Sequence, residues 1–216
     1  MPLFYQHNIN HFTKLAIWKI EEDESFFLSA VPPNPDVTHP HKRLQHLAGR
    51  YILPYLFDDF PLSEILRADT RKPFLPNEKY HFSISHCARY AAAIVSRNKR
   101  VGIDIETISA KIERVQYKFL SDQEHAAAVN AYGSRETTHA IDLSLLASLW
   151  SAKEATFKWY GEGKVDFKEH MIWSGRIEKL QDQWICFPFT FDKGSPQHLD
   201  VYSILFEDLV LSWVMS

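Results

Sequence analysis

The sequence predicts an α+β protein that combines a few helices with mostly antiparallel strands. Three strand-like runs follow one another between residues 81 and 106, and four more lie between residues 171 and 214. Their short connections favour hairpins, and hairpins pair strands antiparallel. A helical pattern precedes each group of strands, so the order of elements suggests two similar halves. No residue-level repeat supports this duplication, which depends on element order alone.

The first half is predicted to contain one helix and four strands. Residues 15–20 form a strand, and the prolines at 32–35 indicate a rigid turn. A helix is predicted over 39–53, with Pro40 in its first turn and Pro54 ending or kinking it. Residues 71–73 are typical of a turn. Strands then follow at 81–85, 90–95 and 101–106.

The second half is predicted to open with a short helix, because Ser121 and Glu124 have the spacing of a capping box. A longer helix should run from about His139 to Tyr160, with Gly161 as its stop signal. The strands expected after it cover residues 171–173, 184–187, 201–206 and 209–214.

Composition limits the possible classes of function. The chain has 216 residues, 45% of them apolar and 24% charged, with a net charge of −3. This charge gives no footprint of nucleic-acid binding. No run approaches the ~20 apolar residues of a membrane span, and the N-terminus lacks the features of a signal peptide. Cys87 and Cys186 are too few for a disulfide framework. We expect a cytoplasmic protein with reduced thiols and with neither nucleic-acid nor membrane partners.

Two acidic clusters are the main candidates for chemistry. Asp104 and Glu106 are two apart on a predicted strand, so they emerge on one face about 6.5 Å apart. Glu154 and Lys158 are four apart on a predicted helix and also share a face. Either pair alone is commonly a solvated surface. Together, three carboxylates and an ammonium would suit a divalent cation that carries a phosphorylated ligand.

Histidines offer weaker signals. His86 stands just after a strand, where side chains commonly point into a site. A thiol nucleophile at Cys87 is disfavoured, because neighbours in sequence project in different directions. His39, His41 and His46 have no cysteine or carboxylate to complete a metal cluster, so solvated positions on a helix are the better interpretation.

Five segments, in order along the chain, resemble the 4′-phosphopantetheinyl transferase superfamily, specifically its monomeric surfactin-synthetase-activating type. Residues 101–106 (VGIDIE) resemble the metal-binding strand of the family, and residues 149–158 (LWSAKEATFK) its catalytic helix. Residues 82–86 (FSISH) are similar to its phosphate-contacting strand end, with Ser83 where asparagine is commoner. Residues 47–50 (LAGR) and 71–73 (RKP) resemble its two coenzyme A segments.

The resemblance implies a Mg²⁺-dependent transfer of phosphopantetheine from coenzyme A to a serine of an apo acyl- or peptidyl-carrier protein, with release of 3′,5′-ADP. It implies that Asp104, Glu106 and Glu154 bind Mg²⁺, whose preference for oxygen ligands they fit. Glu154 would accept the serine proton. Lys158, His86 and Ser85 would contact the phosphates, and Arg50 and Lys72 the 3′-phosphate and adenine end.

The resemblance also implies a fold of two α+β halves, residues 1–107 and 108–216, about a pseudo-twofold axis with the active site at their interface. A monomer is expected. Two other classes of function stay open at this point. One is a Mg²⁺-dependent phosphohydrolase that uses the same carboxylates with water. The other is a non-catalytic protein that binds coenzyme A or a carrier protein.

Overall fold

The chain divides into two compact units, each with its own hydrophobic core. The structure is a computed structural model that describes residues 2–131 and 141–216. The first unit extends to Ile105 and the second covers Glu106–Ser216. Each unit combines helices with antiparallel strands that follow one another in groups, which confirms the α+β class.

The first unit is built on a four-stranded antiparallel sheet. Its elements are β1 (Leu3–Asn8), β2 (Thr13–Lys19), α1 (Glu24–Leu28), α2 (Pro40–Leu56), β3 (Leu66–Arg67), β4 (Pro73–Phe74), β5 (His81–Cys87) and β6 (Tyr90–Ser96), and β7 (Val101–Thr107) follows. The strand order is β1-β2-β6-β5. The predicted strands β2, β5, β6 and β7 are confirmed. β1, α1 and the two-residue strands β3 and β4 were not predicted, since short elements carry little periodicity.

Helix α2 packs on this sheet, and a glycine permits the close approach. Leu47, Ala48, Ile52 and Leu53 are fully buried beneath it. A Cβ at Gly49 would lie 2.6 Å from Cγ2 of Ile84 in β5, so a larger residue would force the helix away.

Pro54 was predicted to end or kink α2. The helix does not end there, because it continues to Leu56, and a kink at Pro54 stays a prediction. Pro54 removes only one backbone donor near the end of the helix. Leu53 and Leu56 on either side of it are buried, and the Phe57 N–H closes the last turn on the Leu53 carbonyl at 3.2 Å. Packing therefore outweighs one missing hydrogen bond.

The second unit pairs a long helix with a second antiparallel sheet. After a 3₁₀ helix at Ala110–Lys118 come α3 (Asp122–Ala131), α4 (Leu143–Tyr160), β8 (Met171–Trp173), β9 (Glu178–Lys179), β10 (Trp184–Phe191), β11 (Gln197–Leu205) and β12 (Leu209–Met215). Strands β12, β11, β10 and β8 are neighbours in that order, and β9 pairs with β10. Helix α4 packs against β11 and β12. The strands predicted here are confirmed; β9 and the 3₁₀ helix were missed.

The predicted helix ends in this unit are set by local hydrogen bonds. The Ser121 N–H donates to Glu124 at 2.8 Å and the Glu124 N–H donates to the Ser121 hydroxyl at 3.3 Å, which confirms the capping box. Asp142 caps α4 by accepting from the Ser144 and Leu145 N–H groups. The helix therefore starts at Leu143; the predicted start at His139 lies outside the described residues. Gly161 ends it in the left-handed region, with φ 75°.

Within residues 2–131 and 141–216, no helix is long and apolar enough to cross a membrane. Both cysteines are free thiols, as expected, with Cys186 buried.

Candidate functional site

A cavity of about 250 Å³ in the first unit is lined in part by a cluster of basic residues. Its wall includes three arginines and two histidines, which are His46, Arg50, Arg67, Arg71 and His86. Such a concentration of guanidinium groups is suited to an anion with several oxygens, since each planar fork can donate two parallel hydrogen bonds.

Three elements bring these cations together. Helix α2 supplies His46 and Arg50, which are four apart and share one face. Strand β5 supplies His86, and the close contact at Gly49 holds α2 against that strand. The β3–β4 turn supplies Arg67 and Arg71. This turn is closed by hydrogen bonds from the Ala68 N–H to the Lys72 carbonyl at 3.0 Å and from the Arg71 N–H to the Ala68 carbonyl at 2.8 Å. Arg71 is in the left-handed region, with φ 67°.

Two arginines on α2 have different surroundings. Arg43 forms a 2.7 Å ion pair with Glu24 of α1. Arg50 has no carboxylate partner within the described part of the chain, and burial lowers its pKa. A half-buried guanidinium without a counter-charge is available to bind an anionic ligand.

His46 is held neutral in this cavity. Burial, and to a smaller extent the positive charge of Arg50, lowers its pKa to about 4. Its Nε2 atom is buried and has no hydrogen-bond partner among the described residues. The prediction of a solvated His46 is therefore wrong: the side chain turns toward the cavity wall, which its sequence neighbours could not reveal.

The cavity partly matches the coenzyme A residues expected from the sequence. Arg50 and His86 line it. Lys72 is not among the described residues that do, although Arg71 and Pro73 on either side of it are. The role of Lys72 stays a prediction. Arg71 lies in the segment 71–73 that resembles a coenzyme A segment, although the sequence did not single it out as a binding residue. Arg67 was missed, and its only sequence signal was its place shortly before the predicted turn.

Strand β7 lies beside β5, and serine side chains connect the two. The Ser85 hydroxyl donates to the carboxylate of Asp104 at 2.8 Å, and both side chains are buried. The Ser83 hydroxyl accepts from the Ile103 N–H at 3.2 Å. Ser83, the departure from the family pattern, thus has a defined function in holding β7.

Glu106 in the second unit is oriented by an aromatic cluster. The Trp150 indole N–H donates to the Glu106 carboxylate at 3.3 Å. The Trp150 ring packs against Phe119 and Phe167, with centroid distances of 5.1 and 5.7 Å. The half-buried Glu106 is therefore fixed by a hydrogen bond whose donor is itself packed.

Glu154 and Lys158 both lie on α4 and are half-buried. Ala155 and Trp159, next to them in sequence, are buried in the core. This pattern places the carboxylate and the ammonium at the margin between core and solvent. There a charge is less screened than on an open surface but is still accessible to a ligand.

The carboxylates fit magnesium by their chemistry, since oxygen atoms are its preferred ligands. Asp104 already accepts one hydrogen bond and Glu106 another, so both are oriented. Among the residues that the structure describes, no group of three or more His, Cys, Asp or Glu side chains is assembled as a metal cluster. The ligand set Asp104, Glu106 and Glu154 therefore stays a prediction.

Comparison with known proteins gives one family. The family model described as the 4′-phosphopantetheinyl transferase superfamily matches residues 100–211, more than half of the chain. Enterobactin synthase component D of Escherichia coli (strain K12) is 33% identical over 121 residues, covering 54% of this chain and 54% of that protein. The protein of the same name from Salmonella austin is 29% identical over 121 residues, covering 56% and 49%. The chain thus spans about half the length of the curated relatives it matches.

The neutral state of His46 predicts a specific pH dependence of stability. The pKa of His46 is about 4 in the folded chain, against an ordinary value of 6.5. The stability that the neutral side chain contributes is therefore fully present above pH 6.5 and is lost as the pH falls toward 4. In His46→Gln, the free energy of unfolding should decline less from about pH 7 to about pH 4.5 than in the wild type. Urea unfolding at several pH values measures this. His41→Gln, an exposed position on the same helix, is the control and should follow the wild type.

Proposed function

The chain belongs to the 4′-phosphopantetheinyl transferase superfamily, and on that premise we propose that it transfers the 4′-phosphopantetheine group of coenzyme A to a serine of an apo acyl- or peptidyl-carrier protein. The name of its relatives, enterobactin synthase component D, favours a carrier that belongs to a multicomponent synthase. Cys87 and Cys186 as free thiols fit the proposed place of action, the cytoplasm.

The arginine-lined cavity is the observation that carries this proposal. Coenzyme A has a 3′-phosphate on its ribose, and a phosphate monoester is the kind of dianion that a cluster of guanidinium groups binds. Arg50, Arg67 and Arg71 supply those groups. Neutral His46 adds a ring nitrogen for a hydrogen bond without adding charge. We assign the 3′-phosphate end of coenzyme A to this cavity.

His86 connects this cavity to the reacting phosphates. It lines the wall at the end of β5, and the preceding residue, Ser85, is hydrogen-bonded to Asp104. If the 3′-phosphate of coenzyme A lies in the cavity and the molecule extends along β5, its pyrophosphate would therefore reach Asp104. We assign His86 as a hydrogen-bond donor to the pyrophosphate, and Ser85, whose hydroxyl proton is donated to Asp104, as a contact at the same strand end.

The proposed chemistry is phosphoryl transfer in a partly dry cleft. Glu154 accepts the proton of the carrier serine, and the freed oxygen attacks the β-phosphate. Lys158 stabilises the negative charge that accumulates on the phosphate oxygens, and 3′,5′-ADP leaves. Asp104, Glu106 and Glu154 would hold Mg²⁺, which when bound neutralises the pyrophosphate.

Transfer itself is the first test. With Mg²⁺ and coenzyme A, at least one member of a panel of apo-carrier proteins should gain the mass of phosphopantetheine on its serine. Intact-protein mass spectrometry measures this gain, and carriers with that serine changed to alanine are the control. Release of nucleotide without carrier modification would instead identify a phosphohydrolase. Binding of coenzyme A without either reaction would identify a non-catalytic protein.

The cavity arginines should control affinity for coenzyme A. Arg50→Ala, Arg67→Ala and Arg71→Ala should each raise the KM for coenzyme A about 10- to 100-fold, with a smaller effect on kcat, because each removes a charged hydrogen bond. Preference for coenzyme A over 3′-dephospho-coenzyme A should shrink in parallel. Lys72→Ala tests the assignment made from sequence, and Arg176→Ala, exposed in the second unit, is the control. Unchanged preference in all three variants would place the 3′-phosphate elsewhere.

Glu154 and Lys158 should control turnover. Glu154→Gln keeps an oxygen ligand but loses the base, so kcat should fall about 10²- to 10⁴-fold. Lys158→Ala should also lower kcat strongly, since it removes a charge aimed at the phosphates. Steady-state kinetics measure both, with Glu162→Gln, exposed just beyond the same helix, as the matched control. If the acidic limb of the pH–rate profile persists in Glu154→Gln, another group is the base.

A further inference from the structure

A fully buried ion pair lies next to the catalytic residues of α4. Lys153 precedes Glu154, and its side chain is 0% exposed; its partner Glu124 is 2% exposed. The Lys153 Nζ atom donates to both oxygens of Glu124 at 2.7 and 2.8 Å. It also donates to the backbone carbonyls of Phe119 at 2.7 Å and Phe167 at 2.9 Å.

The other side of this pair is equally well bonded. Besides Lys153, the Glu124 carboxylate accepts from the Ser121 N–H and, at 2.8 Å, from the Trp173 N–H of β8. The pair therefore joins the start of α3, the middle of α4, β8, and the backbone at Phe119 and Phe167. All of these segments belong to the second unit.

The two carbonyls that Lys153 holds belong to the residues that pack around Trp150. The rings of Phe119 and Phe167 lie 5.1 and 5.7 Å from the Trp150 ring, and the indole N–H of Trp150 donates to Glu106. A continuous series of contacts thus runs from the Lys153 ammonium through Phe119 and Phe167 to Trp150. It ends at the carboxylate of Glu106.

Stability alone does not account for a pair in this position. Desolvation of two charges opposes their attraction, and burial accordingly lowers the pKa of Lys153 although Glu124 raises it. Well-packed apolar residues of similar volume often serve the folded state equally well. Apolar contacts have no direction, whereas the three N–H groups of the ammonium, directed at two carbonyls and the Glu124 carboxylate, fix the places of these acceptors.

We propose that Lys153, paired with Glu124, is a positioning residue for the reaction: it fixes the backbone of Phe119 and Phe167, hence the orientation of Trp150, and through the indole the carboxylate of Glu106. This inference rests on the proposed function for the role of Glu106. The series of contacts that it uses does not depend on that function.

The test replaces both charges at nearly constant volume. In Lys153→Met/Glu124→Gln, the chain should fold, but the ¹H–¹⁵N signal of the Trp150 indole should shift. That signal is identified among the six tryptophans by its loss in Trp150→Phe. The kcat should fall about 10- to 100-fold, as expected for a displaced active-site group, while the KM for coenzyme A stays within about twofold. The control is Ser203→Ala/Ser212→Ala, which removes a buried hydrogen bond between two hydroxyl groups elsewhere in the unit. It shows what loss of buried polar groups alone does to the indole signal and to kcat.

A double-mutant cycle separates positioning from general loss of structure. Trp150→Phe keeps the ring packing but removes the donor to Glu106, so alone it should lower kcat. In the Lys153→Met/Glu124→Gln background it should lower kcat little further, because Glu106 is already released. Additive losses, or a folded double variant with wild-type kcat and an unshifted indole signal, would overturn the proposal. If that variant does not fold, the isosteric single variant Glu124→Gln takes its place. Its Trp150 indole signal should shift and its kcat should fall, and the absence of both changes would overturn the proposal.

The activity of the wild-type protein and the indole signal of the variants distinguish failure of the proposed function from failure of this proposal. A wild-type protein that modifies no carrier would refute the proposed transfer reaction. The indole signal would still report whether the ion pair orients Trp150, and an unshifted signal would still overturn the positioning.

Discussion

The second unit depends on the buried ion pair between Lys153 and Glu124. Removing an ammonium and a carboxylate from water costs several kcal/mol for each ion, and the cost is offset only when every donor and acceptor is satisfied. Here nearly every donor and acceptor of the pair is satisfied, because two backbone carbonyls accept from the ammonium and two backbone N–H groups donate to the carboxylate. These backbone groups belong to three segments of the chain, at residues 119–121, 167 and 173, so none can move without leaving a buried charge underbonded. The pair thus acts on the segments around α4 much as a structural metal would.

In the first unit the governing constraint is steric. Gly49 lets α2 approach β5 so closely that a hydrogen atom fits between the Gly49 backbone and the Ile84 side chain, whereas a Cβ would not. That distance decides how far His46 and Arg50 on the helix lie from His86 on the strand, and so it sets the width of the cavity between them. A ligand-binding wall formed by two packed elements is more rigid than one formed by loops. Arg67 and Arg71, by contrast, come from the short β3–β4 hairpin, and Asn34 and Val37 come from the loop before α2, so part of the cavity wall is adjustable.

The sequence predicted what local patterns determine. Alternation identified β5, β6 and β7, and the Ser121–Glu124 spacing identified the start of α3, because both signals lie within a few residues. It did not predict that Glu124 serves twice, as a helix cap and as the partner of Lys153, since 29 residues separate the two in the chain. The failures have the same origin: the helix continues past Pro54 because of the distant core, and Arg67 reaches the cavity from a strand too short to show a period. Tertiary contacts decided each case.

The two units use charge in opposite ways, and the difference is consistent with their proposed roles. Lys153 is surrounded by oxygen atoms of its own chain and has no capacity left for a ligand. Arg50 is half-buried without a carboxylate partner in the described part of the chain, while Arg43, two turns earlier on α2, is paired with Glu24. Neutral His46 beside Arg50 adds hydrogen-bonding capacity without further charge repulsion among the cations. A half-desolvated guanidinium is costly until an anion arrives, so the anion that fits recovers that cost as binding free energy. The cavity is therefore already arranged for a phosphate group, whereas the buried pair is arranged to hold the chain's own residues in place.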